Sequence, residues 1–223
     1  ADAKVTEIWD RGNLPILVGG TGLYLRVFEY GLFKVDVKAG LRAELQKRAK
    51  EDLQSLYQEL EKLDPQYAKK IHPHDKVRII RALEVIYSTG MPFSYFHKKT
   101  PFFSCKRYPI LKIGLYLPKE ELYAKIKARV EKMIEAGWLE EVRNLKEKFG
   151  EEIFDKIKAI GYKELAEVLK GRLNFESAIK IIQRKSKLYA KRQLTWFRKD
   201  KDIEWFQPKD KEKIEERIRK FLN

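Results

Sequence analysis

Apolar residues recur along most of this chain with helical spacing. Val5, Ile8 and Trp9 stand at i, i+3 and i+4, a helix face that stops at Gly12. Residues 14–18 form a continuous apolar run with Ile and Val, as expected for a strand buried on both faces of a parallel sheet. Gly19-Gly20-Thr21-Gly22 follows at once, and a second helix pattern over residues 23–30 is stopped by Gly31. Helix, strand, glycine turn and helix together predict an α/β domain.

The rhythm then changes. Residues 34–105 show helices and almost no strand signal. Leu41 and Leu45 begin one long amphipathic stretch that Leu53, Leu56, Tyr57 and Leu60 continue, and Asp64-Pro65 breaks it. Asp75 can cap a helix running to Thr89, with Gly90 just beyond. Residues 91–108 read as a return loop. Leu111, Ile113, Leu115 and Leu117 alternate, which predicts a strand. Pro118 opens a helix with Leu122, Ile126, Val130 and Met133 on one face, ended by Gly137. Further helices are expected over residues 138–149, briefly after Gly161, and over 175–198. A short strand at 203–206 and a helix at 209–222 complete the chain. The α/β signals at the two ends therefore enclose an all-helical insertion, with boundaries at 1–33, 34–105 and 106–223.

Composition sharpens this picture. The chain has 223 residues, 43% hydrophobic and 36% charged, enough for a core under a charged surface. Its formal net charge is +15, which points to a polyanionic partner, most simply nucleic acid. Richness in Lys, Glu and Ile also fits a heat-loving source, but that explains the charge content and not its sign. The single cysteine, Cys105, permits no internal disulfide and is expected to be a packing residue in a reducing compartment. No apolar run reaches the length of a membrane span, and a cytoplasmic location is expected. The opening Ala1-Asp2-Ala3 runs straight into a helix pattern, which suggests the middle of a longer protein.

The charge is concentrated. Residues 180–199 carry eight lysines and arginines and no acid. Lys180, Arg184, Lys187, Lys191 and Arg198 fall on one helical stripe and repel one another unless an anion lies along it. A solvated lysine-rich face accounts for the composition equally well.

Four further sites carry possible chemistry. The glycine turn lets backbone N–H groups approach an anion and Thr21 adds a hydroxyl, although a tight turn without a ligand fits too. It is not a Walker A loop, since no Gly-Lys-Thr or Gly-Lys-Ser follows. Arg129 projects from near the apolar face of its helix and needs an acidic partner or a bound anion. Arg78 and Arg81 stand one turn apart, suiting two phosphates, or simple exposure relieved by Glu84. Lys158 and Lys163 flank Gly161 and Tyr162 in a turn that suits phosphate or is an ordinary exposed loop. His72 and His74 have no third metal ligand nearby in sequence.

In this order, four segments resemble the tRNA dimethylallyltransferases. They are residues 14–24 with Gly19-Gly20-Thr21-Gly22, residues 72–85 with His72-Pro73-His74-Asp75, residues 160–165, and Tyr189-Ala190-Lys191-Arg192-Gln193-Leu194-Thr195-Trp196-Phe197-Arg198. The resemblance implies transfer of a five-carbon prenyl group from dimethylallyl diphosphate to the exocyclic amine of the adenine beside the anticodon. It implies an incomplete P-loop nucleotide-kinase-like core carrying a helical insertion that grips the anticodon arm. It implies that Thr21 and Arg42 meet tRNA near the reaction channel, and that Val77, Arg78, Ile79, Ile80 and Arg81 contact RNA from the insertion. Lys158, Ala159, Ile160, Gly161, Tyr162 and Lys163 would line the RNA-facing side of the core, with Lys191, Arg192, Gln193, Leu194, Thr195, Trp196, Phe197 and Arg198. Arg129 resembles the arginine that holds the donor diphosphate, and Thr21 and Arg129 are the expected catalytic residues.

The implied cofactor is Mg²⁺, with ligands outside this chain, and the implied state is a monomer. The family's opening Walker A-like loop and its general-base aspartate are not in this chain, so it is expected to be inactive alone. Two other readings stand beside this one. One is a helical RNA-binding fragment without chemistry. The other is a nucleotide kinase or an isopentenyltransferase acting on adenine nucleotides, for which the basic stripe and helical insertion have no use.

Overall fold

Short polar residues and glycines set most element boundaries. The computed structural model describes residues 1–31, 35–99 and 106–223. Two units form, one of residues 1–19 and 23–109, the other of residues 20–22 and 110–223.

In the first unit, α1 (Asp2–Asp10) and α2 (Gly22–Tyr30) precede α3 (Leu41–Glu51), α4 (Leu53–Leu63), α5 (Pro65–Ala68), α6 (Lys76–Thr89) and α7 (Phe93–Lys99). Asp75 caps α6 by accepting from the Arg78 amide at 3.1 Å, and Gly90 ends it in the left-handed region. Ile79, Leu83 and Val85 of α6 pack with Leu45, Leu56 and Leu60 of α3 and α4 in a fully buried cluster. Each such side chain contributes about 1.5–3 kcal/mol by leaving water.

The expected single stretch across residues 41–60 is broken at Asp52. That residue is extended, and its carboxylate caps α4 by accepting from the Ser55 amide at 3.0 Å. The expected return loop contains α7, held by buried Asp64, which accepts from the Tyr67 amide at 3.0 Å and the Ser94 amide at 2.7 Å. Cys105 lies outside the described residues.

Residues 14–18 are not a strand. Among the described residues none pairs with them, and Ile16 and Val18 are 73% and 93% exposed. An apolar run becomes a strand only when a neighbour supplies the hydrogen-bond ladder.

The second unit contains β1 (Lys112–Leu115), α8 (Lys119–Glu135), α9 (Trp138–Phe149), α10 (Ile153–Lys156), α11 (Tyr162–Leu169), α12 (Phe175–Phe197), β2 (Ile203–Phe206) and α13 (Lys211–Leu222). The short α10 has no counterpart in the periodicity. β1 and β2 pair in parallel, from Lys112 opposite Ile203 to Leu115 opposite Phe206, with the helices as the crossover that parallel strands require. Val130, Trp138, Val142, Phe154, Leu165, Ala166 and Ile182 form the core. The fold is α/β, mostly helical, with a small parallel sheet among the described residues.

Candidate nucleic-acid interface

Asn174 caps α12 by accepting from the Ser177 amide at 3.3 Å. Ala178 and Ile182 seat one face of the helix in the core. The opposite flank carries the stripe. Lys180, Arg184, Lys191 and Arg198 are exposed and have no acidic partner among the described residues. Lys187 sits over the Tyr123 ring at 5.1 Å, and Lys119 approaches the same ring at 5.7 Å. The like-charged pairs Lys180–Arg184, Arg184–Lys187 and Lys187–Lys191 together cost the helix on the order of 1 kcal/mol. A bound polyanion would remove that cost.

The last turns of α12 meet the glycine turn. Gln193 Nε2 donates to the Gly20 carbonyl at 2.8 Å. A Cβ on Gly20 would stand 2.1 Å from Gln193 Nε2, and one on Gly22 would stand 2.0 Å from Trp196 Nε1. Neither glycine has a positive φ; at residue 22 the close approach of the rigid indole ring requires glycine, whereas at residue 20 the neighbour is the movable end of a glutamine. Thr21, between them, is exposed.

Gly161 is glycine for both reasons. Its φ is +108°, and a Cβ there would lie 2.1 Å from the Trp138 ring. Its amide donates to Glu164 Oε2 at 3.0 Å. Burial pushes the Glu164 carboxyl up, but the Lys185 ammonium and the Glu164 and Gly161 amides outweigh it and hold the group low. Tyr162 donates its hydroxyl to Glu141 at 2.8 Å, and that bond raises the phenol above its ordinary value. Lys163 pairs with Asp155 at 3.1 Å. Lys158 and Ala159 are exposed, whereas Ile160 packs on the core.

In the first unit, Glu84 is fully buried and binds two arginines. Arg42 is bidentate, with its Nη2 at 2.9 Å from Oε2, and Arg81 reaches Oε2 at 3.2 Å. The Arg42 hydrogen bond holds the Glu84 carboxyl below the usual carboxylate range, against burial. Arg78 instead pairs with Asp75. Val77 is exposed, but Ile79 and Ile80 are core side chains, because α6 turns them inward. The alternative offered for the Arg78–Arg81 pair, relief by Glu84, therefore holds for Arg81 and not for Arg78, and Arg42 shares the carboxylate without any signal in the sequence.

Arg129 does not sit among buried apolar groups. It is exposed, one residue before buried Val130, and has no acidic partner among the described residues. The structural ion pair offered as its alternative role is therefore not formed there.

The IPP transferase family model matches residues 1–200. The chain is 46% identical to a tRNA dimethylallyltransferase of Halothermothrix orenii over 208 residues, covering 92% of this chain and 63% of that protein. It is 45% identical to one of Dictyoglomus turgidum, covering 91% of this chain and 62% of the relative. The structure of the tRNA isopentenylpyrophosphate transferase of Bacillus halodurans superposes with a TM-score of 0.65 at 35% identity, covering 99% of this chain and 70% of that one. A eukaryotic dimethylallyltransferase acting on tRNA gives 0.77 at 27% identity, covering 92% and 54%. The chain thus spans less than two thirds of the length of the first two curated relatives. With nearly all of its length matched in sequence, and with solved relatives of the same fold, this chain belongs to the IPP transferase family.

Proposed function

We propose that the intact protein transfers a dimethylallyl group from dimethylallyl diphosphate to the exocyclic amine of the adenine adjacent to the anticodon of tRNA. The observation that carries this reading is the uncompensated cationic stripe of α12, ending at the turn that presents Thr21. A family of prenyl transferases supplies the reaction, and the stripe supplies a surface for a polyanion. Phosphate contacts of this kind position RNA without reading its bases.

In this reading residues 1–33 and 106–223 belong to an incomplete P-loop nucleotide-kinase-like core. Residues 34–105 are an all-helical insertion for the anticodon arm. Arg42, Arg78 and Arg81 face RNA from the insertion. Lys158, Lys163, Lys191, Arg192 and Arg198 face it from the core.

The chemistry breaks the allylic C–O bond, releasing diphosphate, and forms a bond from the adenine amine to the freed carbon, while one amine proton passes to the general-base aspartate that the resemblance places outside this chain. Negative charge builds on the departing diphosphate. Arg129 keeps its charge at any working pH, and its freedom from an acidic partner leaves that charge for the diphosphate oxygens. In this reading the exposed Thr21 hydroxyl hydrogen-bonds the flipped-out nucleotide. Among the described residues no group of three or more His, Cys, Asp or Glu side chains could hold a metal ion; the resemblance puts the ligands of the implied Mg²⁺ outside this chain, and no step here runs through it. No described helix is long and apolar enough to cross a membrane. A cytoplasmic monomer is part of the same proposal.

The test supplies the intact protein with radiolabelled dimethylallyl diphosphate and a choice of acceptors. Label should enter tRNA with adenine beside the anticodon and not tRNA with guanine there. Equal labelling of free adenine nucleotides, or none of tRNA, would overturn the proposal.

A further inference from the structure

We infer that Gln193 and Trp196 are positioning residues that hold Thr21 for prenyl transfer, an inference that rests on the role proposed above for Thr21. Both come from the segment that sequence resemblance gives wholly to RNA. At 3.6 residues per turn they lie about half a turn around α12 from Lys191 and Arg198. The cations face outward on one side, and on the other these two side chains close on the glycine turn.

Gln193 ties down the Gly20 carbonyl at 2.8 Å. The Trp196 ring occupies the space that a side chain at residue 22 would fill, with Nε1 and Cδ1 at 2.0 and 2.2 Å from the position of a Cβ. Thr21 is therefore gripped on both sides through its neighbours. Its own hydroxyl has no hydrogen-bond partner among the described residues and is left for a substrate. A group held in this way does not have to be ordered again when substrate arrives, and small displacements of such a group cost about 100-fold in rate. The indole also explains why residue 22 is glycine although its φ is ordinary.

The experiment compares the intact wild-type protein with Gln193→Met, which keeps the bulk and removes the donor, and with Gly20→Ala, whose methyl displaces the same amide. Either change should lower kcat by roughly 10- to 100-fold. The Kd for tRNA and its salt dependence should stay unchanged. Thr21→Ala combined with Gln193→Met should be no slower than Thr21→Ala alone, because both act through one hydroxyl. Hydrogen–deuterium exchange in the peptide over residues 19–25 should quicken in Gln193→Met. Multiplicative kinetic effects would overturn the inference, as would weaker tRNA binding at unchanged kcat, which would put Gln193 on the RNA itself. If the wild-type protein transferred no prenyl group, the proposed function would fail separately. Exchange would then decide the clamp, and an unchanged turn would refute it.

Discussion

Replacing Lys191 and Arg198 together with glutamine tests the cationic stripe where it nears the glycine turn. Both side chains are exposed and have no acidic partner among the described residues, so the change breaks no ion pair. If each contacts one phosphate, log K for tRNA loses a salt slope of about 0.7–0.9 per contact. The double variant should therefore flatten the slope by about 1.4–1.8. At about 0.15 M salt that corresponds to roughly 15- to 30-fold weaker binding, or about 2 kcal/mol. The fold should hardly notice. Removing Lys191 relieves repulsion from Lys187 worth about 0.2–0.5 kcal/mol. Losing Arg198 at the C-terminal end of α12 forfeits about 0.3–1 kcal/mol of favourable dipole interaction. The two nearly cancel, so Tm should move by a few degrees at most. The assay is fluorescence anisotropy with tRNA over a salt series, with Lys213→Gln, exposed on α13, as the control. A slope equal to that of wild type would show that these cations meet no phosphate, and the stripe would be only a solvated face.

Three other changes probe separate parts of the molecule. Arg129→Ala should lower kcat/KM for dimethylallyl diphosphate by about 100-fold in steady-state kinetics, with tRNA affinity unchanged; a normal rate at subsaturating donor would remove Arg129 from the diphosphate. Glu84 has a lowered folded pKa, so its contribution to stability is present above the ordinary glutamate value near 4.3 and fades as pH falls through the folded value. Glu84→Gln should cost about 1–3 kcal/mol at pH 7, discounted because Arg42 can turn to water, and urea titrations should show that penalty shrinking toward pH 3. Gly161→Ala places a methyl against Trp138 at a φ of +108° and should cost about 3 kcal/mol in thermal denaturation; a Tm near that of wild type would contradict the described turn.

Much of the local structure was legible because its causes are local. Asp75 and Gly90 act within one turn of the helix they bound, and α6 starts and stops where they stand. Gly137 separates α8 from α9, and the alternation around residue 113 marks β1. The break at Asp52 leaves no mark in the periodicity, because its neighbours keep helical spacing on both sides while its own carboxylate competes for the backbone. Residues 14–18 show the opposite limit. Their composition suits a buried strand, but pairing depends on a neighbour that no periodicity encodes.

The candidate site divides along the same line. The sequence alone determined that cations would share one face of a helix, since charge and helical spacing are both written in it. It also determined that Glu84 lay within reach of Arg81, three residues away. Only the tertiary structure decided that Arg42 joins the same carboxylate from 42 residues off. Only there does Gln193 meet Gly20, 173 residues away, and only there do Gly20 and Gly22 lie against an amide and an indole. Contacts over such separations follow from how packed helices bring their faces together. They leave no repeat along the chain from which to read them.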